Sequence, residues 1–277
     1  MPHTKIAYRE TSNETGAGQP LVLLHGYAGS VLHWDHVVAV LGNQFHVVVP
    51  NLTHVFMGKI ALSFSEQIDV LALFLKAKFP NQKIHLAGIS YGGALTWGIA
   101  LRYPELIDRT VFINPMPPKP VSYFAIPVLK AIFKLPLNMK AIYLLLRTPV
   151  GAMFLRNAAK VFRIERAEFW QNNQGLHGRK LLVICQIIHR FSFILKNENW
   201  NLWMDRLQAW VHPSLLIYDF EDALFTPKTY HHFQEMIGCD EVEEVHLAGH
   251  IAIQTRGPEI AEMMIKFLDV KASSTAA

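Results

Sequence analysis

The segment "HLAGISYGGAL", residues 85–95, sets one serine among glycines at the end of an apolar run. Ser90 occupies the third place of G-x-S-x-G, between the strand-like "IHLAG" and the helix-like "GALTWGIALRY". A serine at the tip of a strand-to-helix turn sits in a strained conformation, and its neighbours must be very small for the helix to pass. Gly88 and Gly92 supply that room, and Gly93 adds to it. The helix N-terminus then directs its unbonded N–H groups at Ser90, where negative charge develops during acyl transfer. A glycine-rich turn without chemistry has the same composition, so the motif needs its context. Nucleotide binding is the weaker reading: "GISYGG" is not G-x-G-x-x-G, and no G-x-x-x-x-G-K-[ST] occurs.

A serine hydroxyl attacks well only when a base takes its proton, and that base needs a third group to orient it. "HLAGHIAIQ" places His250 in a loop just past an apolar run near the C-terminus. The chain has 14 histidines, so any single one is more often structural; His250 stands out because it follows Gly249 after a strand-like run. "LLIYDFEDALFTP" offers three carboxylates, Asp219, Glu221 and Asp222. Asp222 is favoured because it lies furthest past the strand, in a turn closed by Pro227. A fourth element, "LLHGYAGS", turns through Gly26 and frees backbone N–H groups. The N–H of Tyr27 with that of Tyr91 would form an oxyanion hole, while His25 fits a structural role in bonding the loop backbone.

These residues need elements to hold them. "PLVLLHG", "FHVVVPNL", "KIHLAG" and "RTVFINP" read as strands. They alternate with helical patterns in "HWDHVVAVL", "SFSEQIDVLALFLKAKF" and "GALTWGIALRYPELI", which predicts a parallel sheet covered on both faces. Ser63 and Glu66 form a capping-box pair. The alternation stops at "NPMPPKP", with four prolines in seven residues, and helical text follows: "IPVLKAIFKLP", "NMKAIYLLLRTP" and "KLLVICQIIHRFSFIL". Strand patterns resume at "PSLLIYDFED" and "EVEEVHLAGH", and "PEIAEMMIKFL" closes as a helix. The architecture expected is an α/β core over 1–116 and 207–270, a helical insertion over 117–206 and a flexible tail, 271–277.

With "HGYAGS", "GISYGG", "DALFTP" and "AGH" as anchors, and the order Ser90, Asp222, His250, the chain resembles the α/β-hydrolase family over residues 5–115 and 207–270. The resemblance implies an eight-stranded, mostly parallel sheet, a helical lid over the site, and Ser-His-Asp hydrolysis with no cofactor and no metal. A serine at the elbow is unlike the dehalogenase and epoxide-hydrolase branches, which carry aspartate there. Two segments depart from the family pattern. "PNLTHVFMG" stands where P-D-L-x-G-x-G is common, and Asp219 stands where glycine is favoured.

Composition narrows the class further. At 277 residues and 51% apolar, the chain can bury a large core, which excludes general disorder. Cys185 and Cys239 are too few for a disulfide framework and lack metal-ligand spacing; Cys185 reads as buried packing. A reducing, cytoplasmic setting is expected, with neither a signal-like N-terminus nor an 18-residue apolar window. Between Met116 and Arg206 there are 14 Lys and Arg against 4 Asp and Glu, while the remainder holds 12 against 18. Lys119, Lys130, Lys134, Lys140, Arg147, Arg156, Lys160, Arg163 and Arg166 carry most of the excess. A solvated face is the ordinary reading of such a run. The sharper one is docking of an anionic acyl carrier protein, a coenzyme A thioester or a membrane surface. The basic lid of the family's pimeloyl-carrier-protein methyl ester esterases is similar. Nucleic acid is not expected, for want of any binding motif. The expected substrate is a small-molecule or carrier-bound ester or thioester of an apolar acyl chain. The same triad chemistry would also serve C–C bond hydrolysis or acyl transfer, and a non-catalytic ligand-binding member is the remaining reading.

Overall fold

Apolar runs without alternation become strands with no exposed side. The computed structural model describes residues 6–11, 18–135, 138–161, 179–239 and 241–269; the side chains of 156–161 and 179–180 lie outside that description. β2 (Pro20–Leu24), β4 (Ile84–Ile89) and β6 (Ser214–Asp219) are buried at every residue, as strands covered on both faces must be. With β1 (Tyr8–Thr11), β3 (His46–Pro50), β5 (Ile107–Ile113) and β7 (Glu241–Val245) they form one sheet in the order β1-β3-β2-β4-β5-β6-β7. All neighbours are parallel except β1, which pairs antiparallel with β3.

The sheet therefore has seven strands among the described residues, where the family resemblance implies eight. β1 carries no sequence signal: "YRET" is exposed at all four positions, and backbone pairing with β3 and surface contacts such as Glu10 with Lys78 hold it at the sheet edge. Register sorts the buried strands into two cores. Leu21 and Leu23 face α1 (Asp35–Leu41), α12 (Ala252–Thr255) and α13 (Gly257–Leu268). Val22 and Leu24 face α2 (Thr53–Met57), α3 (Phe64–Lys78), α4 (Tyr91–Arg102) and α11 (Pro227–Ile237). The capping box forms as the sequence predicts: Ser63 Oγ accepts from Glu66 N–H at 3.2 Å, and Glu66 Oε2 accepts from Ser63 N–H at 2.7 Å.

Between β5 and β6 the chain is helical. Here lie α5 (Pro120–Tyr123), α6 (Pro127–Lys134), α7 (Met139–Leu146), α8 (Pro149–Val161), α9 (Arg179–Lys196) and α10 (Trp200–Leu207). Periodicity identifies α6, α7 and α9. The separate short helices α5 and α10 are missed because each spans only one or two turns. Leu129, Ile132, Phe133, Ile142, Leu146 and Cys185 join the same buried cluster as α3 and α4, so insertion and sheet share a core. Trp203 on α10 sits 5.4 Å from the Phe64 ring and 5.6 Å from that of Trp97. Among the described residues no helix is long and apolar enough to cross a membrane. Arg163, Arg166 and the tail 271–277 fall outside the described residues, as do the side chains of Arg156 and Lys160.

Trp203 is 1% exposed, so Trp203→Ala removes an aromatic shared by both parts of the molecule. It should cost about 3–5 kcal/mol in urea unfolding. Fluorescence and far-ultraviolet circular dichroism should report one shared transition; two separate transitions would contradict the common core.

Candidate active site

The sequence-level elbow is a real turn. Ser90 has φ 54° and ψ −119°, a left-handed conformation costly for a residue with a Cβ, and it joins β4 directly to α4. The crossing is too close for side chains at two places. A Cβ on Gly92 would lie 2.1 Å from the carbonyl oxygen of Leu24, and one on Gly88 would lie 2.3 Å from that of Gly92. Ser90 N–H donates to Ile113 O at 3.0 Å, and Met116 N–H donates to Ser90 O at 2.9 Å. The half-buried serine is thus tied to the end of β5.

Ser90 Oγ stands 2.7 Å from His250 Nε2, and His250 Nδ1 stands 2.7 Å from Asp222 Oδ2. The three residues come from the ends of β4 and β6 and from the loop after β7, and His250 is 1% exposed. Asp222 accepts at both oxygens. Oδ1 takes the N–H of Leu224 at 2.7 Å and of Phe225 at 3.4 Å, and Oδ2 also takes the hydroxyl of Tyr230. These donors fix the carboxylate's orientation with Oδ2 toward the imidazole. Burial, with Asp222 beside it, pushes the Tyr230 phenol well above its ordinary range, so it donates and does not ionise.

The rival carboxylates have other partners. Asp219, fully buried, accepts the N–H of Ala248 at 2.7 Å on Oδ2, while its Oδ1 has no hydrogen-bond partner among the described residues. Glu221 accepts the N–H of Leu247 at 2.9 Å. Asn114, just past β5, donates to the carbonyls of Gly249 at 3.1 Å and His250 at 3.0 Å, and accepts the N–H of Asp219 at 2.8 Å. Three side chains therefore fix the backbone of 247–250, the loop that carries His250. Asn114 and Tyr230 have no local sequence signal, since their partners lie 105 or more residues away, or on the turn preceding α11.

The Gly26 turn lies against Ser90: a Cβ there would stand 3.3 Å from Ser90 Cβ and 3.8 Å from Ser90 Oγ. Tyr27 and Tyr91, the next residues after that turn and after the serine, are thereby brought to the same place. His25 supports the turn as the sequence suggests, with Nδ1–H donating to Gly26 O at 2.9 Å and Nε2 accepting from Leu52 N–H at 3.0 Å. That pattern requires a neutral ring, and burial lowers its pKa to about 4. Above the turn the insertion closes in. The Tyr27 ring lies 4.6 Å from Phe191, and its hydroxyl donates to Ile187 O at 3.1 Å. Arg190 donates to Gly58 O at 3.0 Å, tying α9 to the loop after α2. Tyr91 is buried, with its hydroxyl donating to Gln67 Oε1 at 3.0 Å and its ring 5.3 Å from Phe56 and 5.9 Å from Phe191. Cys185 is fully buried within the insertion, and burial raises its thiol pKa, so it packs and does not react. Among the described residues no group of His, Cys, Asp and Glu could hold a metal ion.

Comparison with known proteins bears on the family and the fold. A family model of the alpha/beta hydrolase fold matches residues 19–160. Lipase 3 of Moraxella sp. (strain TA144) is 23% identical over 261 residues, covering 89% of this chain and 76% of that protein. Lipase 1 of Psychrobacter immobilis is 29% identical over 125 residues, 42% of this chain and 38% of that lipase, less than half its length. A solved thermophilic esterase from Thermogutta terrifontis superposes with a TM-score of 0.69 at 16% identity, covering 95% of this chain and 93% of that one, which shows the shared fold.

Two outcomes follow from the contacts. Asp222→Asn should lower the turnover of an ester by a factor on the order of 10³–10⁴, as loss of an orienting carboxylate does. Asp219→Asn keeps an acceptor for Ala248 N–H and should leave most activity; the reverse ranking would exchange the two roles. For His25, the unfolded ring binds a proton below about pH 6.5 while the folded ring stays neutral down to about pH 4. Through this ring stability should therefore fall by about 3 kcal/mol as pH drops across that window, with no further contribution from it at higher pH. His25→Asn should shrink the fall, measured by urea unfolding at neutral and mildly acidic pH. An unchanged pH profile would show that another group drives it.

Proposed function

This chain belongs to the α/β-hydrolase fold family, and on that premise we propose that it is a serine hydrolase cleaving a carboxylic ester or thioester of an apolar acyl chain. The observation that carries the reading is the unbroken relay from Ser90 Oγ through His250 to Asp222, with 2.7 Å at each step, on a serine held in a left-handed turn. His250 Nε2 takes the hydroxyl proton as Ser90 Oγ attacks the acyl carbon. The oxyanion that forms is met by the N–H groups of Tyr27 and Tyr91. Collapse expels the alcohol or thiol with the proton returned by His250, leaving an acyl-enzyme. A water, deprotonated by His250, then releases the acid. Asp222 holds the ring with Nδ1–H toward the carboxylate and stabilises the imidazolium that forms in each half-reaction.

The helical insertion serves as the lid. What supports an apolar acyl group is the set of rings where the insertion meets the Gly26 turn, α2 and α4: Tyr27, Phe56, Tyr91, Phe133 and Phe191, with Tyr27 5.2 Å from Phe56 and Phe191 5.4 Å from Phe133. The lipase and esterase names of the relatives agree with ester chemistry.

A fluorophosphonate probe should label the protein once, and Ser90→Ala should abolish labelling. p-Nitrophenyl esters of rising acyl length should show kcat/KM increasing before it declines, with acyl thioesters run beside them. Undiminished labelling of the Ser90 variant would overturn the assignment.

A further inference from the structure

We infer that the outer face of the helical insertion, around the junction of α7 and α8, docks on an anionic lipid surface. Single exposed apolar side chains are normal on a protein. Here they gather: of the fourteen exposed large apolar side chains among the described residues, six lie between residues 135 and 183. Leu144 is 54% exposed and Val150 49%, on either side of the turn that joins α7 to α8. That turn is tight. Thr148 Oγ1 donates to Leu145 O at 2.6 Å and accepts from Gly151 N–H at 3.2 Å, so Leu144, Arg147 and Val150 project from one compact corner. Leu182 and Val183 are exposed near the start of α9, a helix that packs on α7.

Among the described residues the charge on this face has one sign. Residues 120–161 contain six Lys and Arg and no Asp or Glu, and residues 179–196 contain four and none. Lys134, Lys140 and Arg147 are exposed, and no carboxylate among the described residues pairs with them. Lys130 and Lys196, by contrast, turn back to donate to the chain's own carbonyls, at Ser122 and Leu135. Cation and apolar side chain alternate along the sequence: Lys134 then Leu135, Lys140 then Leu144, Arg147 then Val150. An acidic carrier protein would be met by the cations alone. A lipid surface presents phosphates at the level of the charges and hydrocarbon just beneath, and so satisfies both sets at once. The two-part face therefore selects the lipid surface over the acidic protein. Because the same insertion stands over Ser90, docking there would bring membrane-dissolved acyl chains to the side of the molecule where the rings lie. The binding step rests on this surface; its use in turnover rests on the hydrolase reading above.

The test is sedimentation of Ser90→Ala protein with vesicles of phosphatidylcholine, with and without phosphatidylglycerol, so that no lipid is consumed. Binding should require the anionic lipid and weaken with salt. Replacing Lys134, Lys140 and Arg147 together by Gln should weaken it about a hundredfold. Replacing Leu144 and Val150 by Ser should weaken it at least about tenfold. In the Ser90 background of the native enzyme, the same surface substitutions should leave hydrolysis of a short soluble ester unchanged, which shows that the variants fold. No sedimentation with anionic vesicles overturns the proposal. So does binding lost on charge removal but indifferent to Leu144 and Val150, which is the behaviour of a face for an acidic protein. Vesicle binding without any esterase activity would refute the hydrolase reading alone.

Discussion

Where β4 passes into α4, the main chain approaches that of β2 so closely that Leu24 O would stand 2.1 Å from any Cβ at position 92. Every other feature of the site is arranged about this crossing. It forces glycine at 88 and 92, and it sets α4 down with its N-terminus at the C-terminal end of the sheet. It also leaves Ser90 as the single residue that must take up the reversal, at φ 54°. Strain of this kind persists only when the surroundings over-determine it. Here they do, since the peptide groups of Ser90 are bonded to Ile113 and Met116 and the helix behind is buried along Tyr91–Ala100.

The parallel sheet then brings the partners together. All strands from β2 to β7 end at the same edge, where sites in such sheets lie, so residues 90, 222 and 250 converge although 160 positions separate the first from the last. Convergence alone would leave His250 on a loop. Asn114, Asp219 and Glu221, standing at or just past the ends of β5 and β6, hold that loop through its backbone. The unusual Asp219 is explained on these terms: its carboxylate caps Ala248, a bond that glycine at this position could not make. Among the described residues nothing partners its second oxygen.

What could be read from the sequence was whatever has a local signature. The elbow is a pattern of five residues, and His250 and Asp222 each follow a strongly apolar strand, so all three were legible along with the sheet and the alternation that builds it. The choice among three acids was harder, because 219, 221 and 222 differ only in how far the chain has turned; distance past the strand picked the residue that reaches His250. β1 was not legible, since a solvated edge strand has no apolar face, and the eight strands implied by resemblance are seven among the described residues. Tyr230 and Asn114 were hidden for another reason. Asn114 acts through contacts with residues 105 or more positions away and Tyr230 through the turn before its own helix, and no spacing announces either. "PNLTHVFMG" was visible only as a departure from the family pattern. In the fold it becomes α2, whose Phe56 and Met57 stand against Tyr27.

Tyr27 links the two halves of the molecule through different parts of one residue. Its backbone follows the Gly26 turn that lies against Ser90, while its ring and hydroxyl engage Phe191 and Ile187 on α9. The insertion is thus attached at two unequal ends. At α10, Trp200 and Trp203 are sunk into the core beside Phe64 and Trp97, and removing one such ring costs about 3–5 kcal/mol. At α9 the polar ties are a phenol and an Arg190 guanidinium on backbone carbonyls, with hydrogen bonds worth about 1 kcal/mol each. Beside these polar ties, the rings of Tyr27 and Phe191 are surfaces that separating α9 from the Gly26 turn would uncover. An apolar chain entering beside Ser90 would replace one of those rings as the other's neighbour, so the contacts that close the site are of the same kind as those that would bind its substrate.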